Sequence, residues 1–137
     1  MANRCGRGSR PHQAEFPLAT SPLRSAYLQW VYFAEATLQR QIDYVFSHEH
    51  ARSVPERIPS IASEAREFAS DALALVEAEL DSGPFILGTE FAGADMMLGY
   101  TLLSARHLGV LTTEFPNANR YLNRLVTRPA LLKAIAV

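Results

Sequence analysis

Cysteine is almost missing from this chain. Cys5 is the only one among 137 residues, so no intrachain disulfide can form, and a reducing cytoplasm is the compartment that fits best. Long apolar runs are missing as well, which leaves nothing with the length of a bilayer span or of a signal-peptide core. Neither sign of charge dominates: 13 Lys and Arg against 14 Asp and Glu leave a net charge of −1. There is no basic stripe for a phosphate backbone and no acidic tail, so nucleic acid is not an expected partner. Sustained alternation of apolar and polar residues is also lacking, so no sheet is predicted. What remains is a chain that is 48% hydrophobic and large enough to bury roughly two thirds of its unfolded surface as one domain.

Its apolar residues recur at helical spacing. Tyr27, Val31, Ala34, Leu38, Ile42 and Val45 follow steps of three or four, widened by Trp30 and Phe33, and predict one long amphipathic helix over residues 22–46. Residues 47–59 hold two prolines, His48, Glu49 and His50, and read as a loop or frayed turn. A second helix to about Asp81 is expected to turn Ile61, Ala65, Phe68, Ala72, Leu75 and Val76 inward, with Ser82-Gly83-Pro84 as its stop. The third, with Met96, Met97, Leu98, Tyr100, Leu102, Leu103 and Ala105, is apolar nearly all round and is expected at the centre, ending at Gly109. Pro116 and Pro129 open a fourth helix and a short fifth. The expectation is an all-α bundle of about five helices over residues 17–137, preceded by an irregular segment, residues 1–16.

The start of the third helix is the most specific segment. In Phe85-Ile86-Leu87-Gly88-Thr89-Glu90-Phe91-Ala92-Gly93-Ala94-Asp95, Gly88 supplies a turn, and Phe91, Ala92, Asp95 and Met96 fall at N′, N-cap, N3 and N4. Phe91 and Met96 then form a hydrophobic staple, and Asp95 is the carboxylate half of a capping box whose hydroxyl half is replaced by Ala92. Losing that half weakens a helix start by about 0.5–2 kcal/mol, and removing Asp95 is expected to cost about 1–2 kcal/mol.

This segment, the upstream stretch from Ser21 to Glu35 and the terminal Tyr121-Leu122-Asn123-Arg124-Leu125-Val126-Thr127-Arg128-Pro129-Ala130 together resemble the C-terminal helical domain of bacterial glutathione S-transferases, from about Pro17 onward. The resemblance implies an ancestral conjugation of glutathione, as co-substrate, to hydrophobic electrophiles. In that family a thioredoxin-like domain activates the thiol, and the residues before Pro17 are too few for one, so no catalytic residue is assigned and the helical unit is expected to be inactive alone. Partners implied are a second copy of the chain, a thioredoxin-like domain or a small hydrophobic molecule. The alternative is a non-catalytic interaction module.

Five residues are candidate ligand contacts through the resemblance. Gln39 and Arg40 stand where some bacterial members place a polar pair, Gln39 facing a peptide carbonyl and Arg40 an anionic group, and Tyr32, Phe33 and Tyr100 are candidate walls of an apolar pocket. Against each stands an ordinary core or surface role. Other chemistry is poorly supported. His48 and His50 are two apart, so on a helix they face different ways, and no metal site is expected; a solvated loop fits better. His107 suits the dipole near a helix C-terminus, and Cys5, beside Arg4 and Arg7 in a structureless segment, lacks a positioned cation to activate it.

Overall fold

The computed structural model describes residues 16–135, and among them the fold is all helical. The expected irregularity of residues 1–15, and the Cys5 thiol, lie outside the described residues. The first helix runs further than its sequence suggests. α1 (Arg24–Tyr32), a π-helical segment (Phe33–Gln39), α2 (Arg40–Phe46) and a second π segment (Ser47–Ala51) join without leaving helical dihedrals, and only Arg52 turns extended. The buried residues Trp30, Ala34, Leu38 and Ile42 are spaced by four. Each such step overshoots a turn of 3.6 residues by about 40°, and the wider π turns absorb the drift, holding all four against the core.

The loop expected over residues 47–59 is therefore corrected. His48, Glu49 and His50 are helical, and the connection shrinks to residues 52–58, extended on either side of a 3₁₀ turn (Val54–Glu56), before α3 (Pro59–Glu79). The core face of α3 is corrected too: Phe68 and Leu75 are exposed, and Ala62, Ala65, Ala69, Ala72, Leu73 and Val76 turn inward. Two stripes share Ala65 and Ala72, one carrying bulky residues and one carrying alanine. The alanine stripe lets α3 sit close against α2, whose Ile42 and Val45 fill the volume instead.

α4 (Gly93–His107) is central as expected, packing on α1, the first π segment and α5, with Ala94, Leu98, Leu102 and Ala105 fully enclosed. It is not buried all round: Met96 and Tyr100 face outward. Its end is a Schellman turn, in which Gly109 at φ +66° donates to Arg106 O (3.1 Å) and Val110 N–H to Ala105 O (2.8 Å). α5 (Pro116–Val126) and α6 (Pro129–Ile135) complete the bundle, each opened by its proline. The first turn of α5 is capped from another helix: Glu77 of α3 accepts from the Asn117 and Ala118 amides, both at 2.8 Å.

Candidate functional site

Asp95 is fully buried and organises the entry to α4. Its Oδ2 accepts from the Ala92 amide at 2.7 Å, the reach-back that N3 geometry predicts, while Oδ1 accepts from Ile86 N–H (2.9 Å) and Tyr121 O–H (2.7 Å). Ala92 has no oxygen to return the bond; the Asp95 amide donates to the Ala92 carbonyl at 3.0 Å. Burial pushes the Tyr121 hydroxyl far above the usual phenol range, and the adjacent carboxylate pushes it further, so it remains a donor. Gly88, at φ +115°, exchanges both backbone hydrogen bonds with Phe85 at 3.0 Å, which delivers Ile86 to Asp95. Of the staple pair, Met96 is half exposed, and the ring of Phe91 meets Phe85 (5.8 Å) and the Arg128 guanidinium (3.6 Å). Tyr121 and Ile86 could not be tied to Asp95 from the sequence, because long-range partners of a carboxylate leave no local spacing signal.

The five candidate ligand residues are divided. Tyr32 and Tyr100 are 67% and 60% exposed, and they lie within two residues of the contact of Thr101 Oγ1 with Ala34 O (3.5 Å) that joins the first rod to α4. Phe33 is partly buried and packs edge-on against Trp30 at 5.2 Å. Arg40 is exposed, its guanidinium 5.7 Å from the Tyr44 ring and donating to the Tyr44 hydroxyl. Gln39 is buried; its amide donates to Asp43 Oδ1 (2.8 Å), and its Oε1 has no donor. Its unsatisfied atom is thus an acceptor sealed from the surface.

A second cluster ties the rod to α3. Arg66 of α3 donates to Leu108 O (3.0 Å) and grips both oxygens of Glu49 (2.8 and 2.6 Å), and this grip holds the Glu49 carboxyl below its usual range. His48 is buried and accepts at Nδ1 from Ile58 N–H (3.1 Å). His107 at the end of α4 bonds through Nδ1 to Leu103 O (2.9 Å). Among the described residues no three potential metal ligands converge. A groove of about 360 Å³ lies between the segment before α1 and the turn before α4, bordered by Pro17, Leu18, Ser21, Leu87, Thr89 and Ala92.

Residues 59–124 match the family model described as glutathione S-transferase, C-terminal domain. Among solved structures, BphK, a bacterial GST in a ternary complex, is similar at 21% identity and TM-score 0.78, over 88% of this chain and 57% of that one. A glutathione transferase from Methylococcus capsulatus strain Bath is similar at 24% identity and TM-score 0.79, over 92% and 59%. Ure2p5 from Phanerochaete chrysosporium, cocrystallised with 1-(S-glutathionyl)-2,4-dinitrobenzene, is similar at 19% identity and TM-score 0.79, over 89% and 59%. At such identities the likeness is one of fold, and the chain spans less than two thirds of the length of each. No curated protein matches significantly. No helix among the described residues is long and apolar enough to cross a membrane.

Proposed function

We propose, from the premise that this chain carries the C-terminal helical domain of the glutathione S-transferase family, that the bundle forms the acceptor side of a site where glutathione is joined to a hydrophobic electrophile. In that reaction the glutathione sulfur forms a bond to an electrophilic carbon as the leaving group departs. The bundle contributes an apolar surface for the electrophile, and thiol activation belongs to a thioredoxin-like partner domain, without which the bundle does not turn over. The observation that supports this is the exposure of Tyr32 and Tyr100 on helices packed together, beside Phe33. Two large aromatic side chains left in water on adjoining elements are suited to a flat apolar ligand.

Trp30, in edge contact with Phe33, is a built-in reporter. Titrating the chain with 1-(S-glutathionyl)-2,4-dinitrobenzene should change Trp30 fluorescence saturably, and Tyr32→Ala or Tyr100→Ala should weaken binding several-fold to about tenfold. A linear, unsaturating response, or equal binding by both variants, would rule the acceptor-site reading out.

A second reading has its own observation. Phe68 and Leu75 are exposed seven residues apart on α3, two turns along one face, as befits an assembly surface for a second copy or another protein.

A further inference from the structure

The end of the first helical rod and the start of α3 enclose an open cavity of about 480 Å³, bordered by His48, Glu49, Arg57, Pro59, Ser63 and Arg66. We propose that this cavity is a binding site for an oxyanion, a phosphate or carboxylate group carried by a small molecule. The proposal does not depend on the acceptor-site reading.

Two donors suited to negative charge border the cavity, Arg57 and His48. Arg57 is held in place by two carbonyls, its Nε donating to Arg52 O (2.9 Å) and its Nη2 to His50 O (3.1 Å). Carbonyls orient a guanidinium without neutralising it, and among the described residues Arg57 is in no ion pair. The nearby carboxylate of Glu49 does not fill that role, because both its oxygens are gripped by Arg66. α3 borders the same space along one face, through Pro59, Ala62, Ser63 and Arg66.

His48 is the independent observation that points to a ligand. It is 94% buried, since only 6% of its surface is exposed, and it borders the cavity. Because its Nδ1 accepts from the Ile58 amide, Nδ1 carries the lone pair and Nε2 carries the hydrogen. That Nε2–H has no acceptor among the described residues, yet it is not among the atoms sealed away from the surface. A donor in this setting is satisfied by an acceptor entering the cavity, and an oxyanion offers several acceptor oxygens to Nε2–H, to the free end of Arg57 and to the Ser63 hydroxyl at once. A metal cation finds no such fit, since the charges facing the space are positive or already paired.

The test is a nuclear magnetic resonance titration with inorganic phosphate at constant ionic strength, with sodium acetate in a parallel arm and sodium chloride as control. Phosphate or acetate should shift the Ser60 amide and the His48 ring signals saturably, chloride should not, and the tighter arm identifies the headgroup. Arg57→Gln should weaken binding about tenfold, the effect of losing one charge-assisted hydrogen bond. Since Arg57 also braces the 50–57 connection, Ser63→Asp is the second variant: Ser63 is exposed, and a carboxylate there repels the ligand without removing a structural contact. Ser63→Asp should abolish the saturable shifts while the melting temperature holds. Unsaturating shifts in both arms, or Ser63→Asp binding as the parent does, would overturn the site.

Discussion

Asp95 shows how a residue readable from its neighbours can still be undervalued. Its place at N3 was visible in the sequence, and the Ala92 hydrogen bond follows from it. The 1–2 kcal/mol expected for its removal counts only that end of the carboxylate. The other oxygen holds the Ile86 amide and the Tyr121 hydroxyl, so Asp95→Ala strands three buried donors and should cost about 3 kcal/mol or more, measured by urea denaturation. Asp95→Asn should be nearly as harmful. Whichever oxygen becomes NH₂ then faces a backbone N–H, either of Ile86 or of Ala92, and neither can turn round to accept. An asparagine variant within about 0.5 kcal/mol of the parent would contradict that geometry. Gln39 presents the reverse case. Its buried Oε1 lacks a donor, so Gln39→Met removes an unsatisfied acceptor at similar volume, at the loss of one i, i+4 contact to Asp43, and should raise stability by about 1 kcal/mol. A lower melting temperature would mean that the oxygen has a partner.

At the scale of elements, periodicity located the first three helices and two prolines the last two, but a boundary and a face were misjudged. The boundary at Phe46 was lost because histidine, glutamate and a following proline look like a loop, while the Arg66 grip on Glu49 and the Ile58 bond to His48 supply tertiary reasons for the helix to continue. The face of α3 was ambiguous because burial there depends on how closely α2 approaches, which no single helix encodes. The Glu77 cap on α5 was invisible for a related reason: it lies forty residues from the amides it receives, the separation being 40 and 41. Glu77→Ala should therefore cost about 1–2 kcal/mol, more than truncating an exposed carboxylate elsewhere on α3, with the loss read as faster amide exchange in the first turn of α5. The Glu49–Arg66 clasp adds a pH signature. The folded carboxyl titrates below its ordinary 4.5, so its contribution is present above that value and is lost as pH falls through the lower, folded one. Stability should drop more steeply with acid below pH 4.5 in the parent than in Glu49→Gln, and parallel curves would deny the clasp any part in acid stability.

For the whole molecule, the bundle is recognisable because its rules are local, whereas what it binds is decided by the surfaces that the bundle leaves uncovered. Tyr32 and Tyr100 were singled out through resemblance, while Phe68 and Leu75 looked like core until the alanine stripe was seen to take their place. That exchange has a physical consequence. A helix that turns alanine inward and keeps phenylalanine and leucine in water forgoes burial worth about 1.5–3 kcal/mol for each large side chain, unless a partner covers them. If a second copy does so, the chain should show a concentration-dependent mass by light scattering after size exclusion. Phe68→Asp with Leu75→Asp should then hold it monomeric at every concentration and make its melting temperature independent of concentration, while leaving its helical circular dichroism unchanged, because neither side chain packs in the core. A parent that is monomeric throughout would leave this face to a different protein. A parent that self-associates as strongly with both aspartates in place would put the contact elsewhere, with the aromatic pair at Tyr32 and Tyr100 as the next surface to change.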